Sequence, residues 1–243
     1  MIDKLKTPED FENMIIGLDE KFSFSCNQCG KCCTEREDIL LSPSDLFRAS
    51  RKLNMTTEKF HDEYCESYVG GTSKVVIVRF KPRGSIRRCP MLKNRKCSIH
   101  DAKPAVCAMF PIGRGFHLDA SKNLSEQITH ENMNFIFTGA HCGSEKEYTV
   151  REWFEKFGIP IKDDYFVEWQ KTIAEVGDIA RHAEATIKSE VLLNLMYTII
   201  FQQLYMEYDI NKEFMPQFME NKSRLLSILR DMPGLNLGGR KNG

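Results

Sequence analysis

The chain has 243 residues of which 42% are hydrophobic, enough for one large core or two small ones, so a globular protein is expected. Lys plus Arg equals Asp plus Glu at 34 each, so no global field recruits nucleic acid or an anionic membrane. The most apolar run, Val191 to Phe201, is far short of about 18 residues and carries Asn194 and Thr198, so no membrane span is expected.

The N-terminal MIDKLKTPEDFENMIIG is interrupted by acids and has no apolar core long enough for a secretory leader, which predicts a cytoplasmic location. It also carries a short helical signal from Phe11 to Ile16. The stretch CNQCGKCC follows, with Cys26, Cys29, Cys32 and Cys33 set among Asn27, Gln28, Gly30 and Lys31. Thiols so placed have no apolar neighbours to pack with, and their spacing is that of zinc knuckles and iron–sulfur loops. In a reducing compartment nine cysteines point to metal or redox chemistry, and an odd number cannot all pair as disulfides. Gly30 suits a tight ligand loop. The adjacent Cys32 and Cys33 either serve two centres or sit on a backbone bent to bring both sulfurs to one.

A helix is predicted from Ser42 or Ser44 as N-cap to about Leu53, with Pro43 in its first turn. Thr56 or Thr57 starts a second, TEKFHDEYCESY, with Phe60, Tyr64 and Tyr68 on one face and Cys65 beside them as a core thiol. KVVIVRF, Lys74 to Phe80, reads as a strand after Gly70 and Gly71. The block RCPMLKNRKCSIHDAKPAVCAMFP then brings Cys89, Cys97 and Cys107 on loops stiffened by Pro90, Pro104 and Pro111. Met91, Leu92, Ile99, Val106, Met109 and Phe110 offer an apolar wall against water. NFIF, Asn134 to Phe137, is a further strand candidate, and Cys142 completes eight candidate metal ligands. His100 and His141, next to ligand cysteines, read as supporting or solvated residues, and His61, His117, His130 and His182 show no pairing pattern.

From Tyr148 onward cysteine disappears and amphipathic helix takes over. One stripe is Phe166, Trp169, Ile173, Val176, Ala180, Ala183 and Ile187. Leu192, Leu195, Ile199 and Leu204, then Phe214, Phe218, Leu225, Ile228 and Met232, make two more. The expected fold is α+β and mostly helical. It comprises a cysteine-cluster metal-binding domain over 20–145 with short strands, a helical bundle over 146–235 and a disordered tail over 236–243.

CxxCxxCC followed by CPxL, then CxIxxxxPxxC and FP, resembles the YkgJ-like cysteine-cluster family of zinc- or iron-chelating proteins, to which flagellin lysine N-methylases of the FliB kind belong. Cys26, Cys29, Cys32, Cys33, Cys89, Pro90, Leu92, Cys97, Ile99, Pro104, Cys107, Phe110 and Pro111 carry the resemblance, with Cys142 as the late cysteine. His100 stands where the family usually has an aromatic residue. Eight candidate sulfurs make either two closed zinc sites of four thiolates each or one iron–sulfur cluster, of the 4Fe-4S kind, with ligands to spare. Iron–sulfur is the expectation, largely from the resemblance to the methylase branch, and Cys89-Pro90 has the form of an iron–sulfur loop in which proline shields the cluster. Three functions follow: a cluster-assisted methyltransferase using S-adenosylmethionine on a protein lysine, a redox carrier, or a zinc-stabilised interaction module. No strand leading into GxGxxG and no CxxxCxxC occurs, so S-adenosylmethionine would need another binding mode.

Overall fold

The computed structural model describes residues 8–26, 29–34, 39–119, 121–139 and 143–235. The fold is α+β, with short antiparallel sheets and a helical C-terminal region. Two compact units form by contact, Met1–Ile39 with Pro82–Glu168 and Leu40–Lys81 with Trp169–Gly243. Residues 40–81 thus cluster with the C-terminal helices, although they lie between the first and second cysteine blocks in sequence.

In the first unit, alternation along Lys21–Ser25 turns Phe22 and Phe24 inward, and both are buried. This strand, absent from the sequence expectation, pairs antiparallel with Ser144–Thr149 in the register Lys21 to Thr149 and Ser25 to Ser144. Gly143 precedes the partner strand at φ 109°, where a Cβ would stand 2.7 Å from the Phe24 ring and 2.8 Å from the Ser25 carbonyl oxygen. Only glycine allows that approach. Ile112–Phe116 pairs with Met133–Phe137, which contains the expected NFIF strand, and Ile15 bridges to Ile136.

The helix Val150–Lys156 begins at a reciprocal cap. The Thr149 hydroxyl accepts from the Glu152 N–H, and the Glu152 carboxylate accepts from the Thr149 N–H. The cap sets Trp153 and Phe154 into a core with Phe22, Phe24, Ile112 and Phe135. Trp153 meets Phe24 edge-on at 5.4 Å between centroids, and its indole N–H donates to the Met109 carbonyl at 3.0 Å. The N-terminal helix is Pro8–Glu12, which shares only Phe11 and Glu12 with the expected Phe11 to Ile16, and Ile15 lies in the bridge to Ile136.

In the second unit the strand Val76–Phe80 lies between Leu40–Leu41 and Cys65–Val69, all antiparallel. Pro43–Leu53 starts at Ser42, whose hydroxyl accepts from the Asp45 N–H while the Asp45 carboxylate accepts from the Ser42 N–H; it ends on Asn54 at φ 51°. Thr56 caps Thr57–Tyr64. That helix stops at Tyr64, four residues before Tyr68. Cys65–Val69 is recruited by the β-branched Val76–Phe80, so Tyr68 is an exposed strand residue and not part of a helical stripe. Cys65 is buried, as expected of a core thiol.

The three C-terminal helices are Asp164–Thr186, Glu190–Phe201 and Phe214–Arg230, with one π-helical turn at Gln202–Met206. Val176, Ala180, Ala183 and Ile187 are buried as the first stripe requires. The second stripe is rotated: Met196, Ile200 and Leu204 are buried while Leu195 is 49% exposed. The run from Val191 is apolar nearly all round, so its period cannot select a face. In the last helix Leu229 replaces Ile228 in the core. The tail from 236 lies outside the described residues.

Candidate metal centre

Lys31–Cys33 is one 3-10 turn entered through Gly30 at φ 76°, the left-handed region that favours glycine. The Cys33 N–H donates to the Gly30 carbonyl at 3.0 Å. This bend brings the Cys32 and Cys33 sulfurs to 3.9 Å of each other. Two thiolates on one tetrahedral ion, with bonds of about 2.3 Å, would stand about 3.8 Å apart.

The second cysteine block is fastened to that turn through the backbone: the Cys89 N–H donates to the Cys33 carbonyl at 2.8 Å. Leu92–Lys93 and Lys96–Cys97 then form a hairpin whose two loop residues, Asn94 and Arg95, have φ of 50° and 63°. Both signs positive is the two-residue geometry that matches strand twist, and it leads the chain to Cys97. Pro104 precedes the helix Ala105–Met109, which carries Cys107 and ends on the carbonyl gripped by Trp153.

The thiols interact electrostatically. Cys33 is influenced by Cys32, Cys89 and Cys107, Cys89 by Cys97 and Cys32, and Cys97 by Cys32. Cys32 is their common neighbour. Contact with Cys32 and then burial drive the Cys33 thiol upward in pKa. Burial pushes Cys89 up to about 11 against the opposing backbone N–H of Met91, and burial raises Cys97 against that of Ile99. Lys103 lies within reach of Cys107, Cys26, Cys97 and Cys32; burial lowers its pKa and the sulfur charges counter that. Its ammonium sits 4.1 Å from the Phe157 ring centroid.

Crowded thiols of this kind ionise when a thiophilic metal takes the proton's place, so the chemistry of the donor set fits zinc or iron. Among the described residues no three His, Cys, Asp or Glu side chains already form a cage around one point. The thiols are gathered without being closed into a coordination sphere. Cys26 and Cys29 are exposed, while Cys32, Cys33, Cys89, Cys97 and Cys107 are half-buried. Cys142 and His141 lie outside the described residues. Met91, Ile99 and Met109 are buried, whereas Val106 is 37% exposed and forms no wall. His100 is exposed and opens a 3-10 turn, and burial together with Lys103 lowers its pKa. Sequence reasoning missed Lys103 and the Trp153 brace; a lysine between Cys97 and Cys107 was the available signal for the first.

No curated protein and no solved structure matches the chain. No helix among the described residues is long and apolar enough to cross a membrane. Residues 25–135 match the family model CxxCxxCC, "Putative zinc- or iron-chelating domain", which takes in every described cysteine and stops short of Cys142 and the C-terminal helices. Over this cysteine-rich stretch, a little under half of its length, the chain is thus similar to the CxxCxxCC family of zinc or iron chelators.

Proposed function

We propose that this is a cysteine-ligated metal protein whose resident group is an iron–sulfur cluster of the 4Fe-4S kind. The thiolates that hold it are drawn from Cys26, Cys29, Cys32, Cys33, Cys89, Cys97, Cys107 and Cys142. The observation that carries the reading is the gathering of Cys33, Cys89 and Cys97 about Cys32, with Cys107 near Cys33 and the Cys89 N–H bonded to the Cys33 carbonyl, which puts more sulfurs at hand than one tetrahedral ion takes. When bound, such a cluster supplies one-electron chemistry or a Lewis-acidic iron. Lys103 would offset part of the thiolate charge, and Met91 and Ile99 would limit water beside Cys89 and Cys97.

Purification without oxygen tests this. Brown protein with iron, acid-labile sulfide and broad absorption near roughly 400 nm is the expected result. Colourless protein holding stoichiometric zinc would overturn it. Zinc is the second reading, favoured by the 3.9 Å separation of the Cys32 and Cys33 sulfurs, and it would make the centre a structural one in an interaction module. Methyl transfer to a protein lysine is a further reading of the same centre. It requires that S-adenosylmethionine bind the metal-loaded protein and not the stripped one. Calorimetry showing no heat with the loaded protein removes it. A thiol cluster of this kind suits a reducing compartment, and we place the protein in the cytoplasm.

A further inference from the structure

An open cavity of about 440 Å³ lies beside Cys29 in the first unit. Lys31, Arg88 and Arg95 line it with Leu92 and Ile86, and among the described residues no Asp or Glu is in its lining. Among the described residues none of these three cations is held in an ion pair. Their charge is local to an otherwise balanced chain: the stretch from Arg83 to Lys96 carries Arg83, Arg87, Arg88, Lys93, Arg95 and Lys96 and no acid. A volume of this size is in the range of small-molecule sites, about 300 to 1,000 Å³.

Backbone geometry strengthens the case. Arg95 occupies the second loop position of its hairpin at φ 63°, where glycine would avoid the steric cost that an L side chain meets. The turn therefore keeps a guanidinium at a position where local folding alone favours glycine. Arg88 enters through a separate tight loop, in which the Arg83 and Arg88 backbones bond to each other at 2.8 Å both ways and Arg87 has φ 45°. Two planar guanidinium forks and one ammonium suit oxyanions. Leu92, half-buried, and Ile86, 56% exposed, add apolar surface to the same lining.

We propose that this cavity binds a small dianion with an apolar body, its oxyanion groups taken by Arg88, Arg95 and Lys31 and its body lying against Leu92 and Ile86. Phosphate monoesters and dicarboxylates share that chemistry. The inference is independent of which metal the cysteines hold.

The test is calorimetry of the full chain, as purified with its metal, against phenyl phosphate and against phthalate. Arg88→Ala and Arg95→Ala are each expected to weaken binding by about tenfold or more, as loss of a charge-assisted fork implies. Lys93→Ala, an exposed cation of the same stretch that does not line the cavity, should leave affinity unchanged. Preference for phenyl phosphate over phthalate identifies the phosphate source, and the reverse identifies the carboxylate source. Metal content measured on every variant separates this proposal from that of the centre: zinc-loaded protein that binds through Arg88 and Arg95 sinks the iron reading and keeps the cavity. No binding of either probe overturns the proposal. So does equal weakening by Lys93→Ala, which would mean diffuse attraction to a basic surface.

Discussion

The two units close their interiors by different means. In the second, Leu46, Phe47, Phe60, Val78, Met196, Phe218, Leu225 and Leu229 are each at most 1% exposed, and capped helices lie with a three-stranded sheet. The first owns an aromatic core around Trp153, but from Cys26 to Cys107 it relies on a 3-10 turn, a two-residue hairpin and proline-bounded loops, with five thiols half-buried. One unit closes on a continuous apolar interior. The other keeps soft ligands side by side where packing is thin, so an ion is the stabiliser its sequence calls for.

The sharpest way to break this contrast is to remove the common neighbour of the thiols. Cys32→Ser is expected to strip most of the bound metal and to make the cysteine stretch protease-sensitive while Trp169 onward stays helical. A structural metal is worth on the order of 10 to 16 kcal/mol, comparable with the roughly 5 to 15 kcal/mol stability of a domain. Elemental analysis with limited proteolysis reads both effects, and retention of full metal content would refute the arrangement around Cys32.

Core truncations come next. Trp153→Ala and Phe218→Ala should each cost about 3 to 5 kcal/mol in denaturant unfolding. They should differ in one respect: Trp153→Ala also removes the N–H that holds the Met109 carbonyl, so it should loosen the Cys107 helix and lower metal retention, while Phe218→Ala should not. Equal metal loss in both would erase the distinction between the units.

A smaller effect sharpens it. Cys65 is the buried thiol of the second unit, and Cys65→Ser, which puts a more polar hydroxyl in a thiol's buried place, should cost about 1 to 3 kcal/mol and leave metal content intact. Metal loss on that change would mean the ligand set is drawn wrongly. Smallest is Ser42→Ala, which deletes the cap of Pro43–Leu53 and should cost about 1 kcal/mol in thermal unfolding, with no change in bound metal.

Much of this was legible from residues that act locally. Ser42 with Pro43, Thr56, and the stripe from Val176 to Ile187 declared their helices, because capping and an apolar spacing of three and four residues are short-range signals. The cysteine spacing likewise announced its cluster. Tyr68 misled, since helical spacing cannot reveal that Val76–Phe80 is waiting to pair with it. Phe22 and Phe24 were silent for the same reason: a five-residue strand beside a cysteine loop gains its identity only from Ser144–Thr149, far along the chain. The buried face of Glu190–Phe201 was illegible because nearly every side of that helix is apolar. In the candidate site, the thiols could be read and the Lys103 contact could not, because a lysine near a cysteine in sequence says nothing of where its ammonium goes.

The interleaving of the two units bears on how the protein is made. Leu40–Lys81 leaves the ribosome with half of a core, and Thr57, whose hydroxyl donates to the Met206 carbonyl, must wait for that partner. At about 5 to 20 residues per second, the roughly 90 residues that intervene before Trp169 take on the order of 5 to 20 s to synthesise. Through that interval Phe47, Phe60 and Val78 wait for helical partners not yet made, while Cys89, Cys97 and Cys107 are being added to the chain, so the first unit gains its thiols before the second can close.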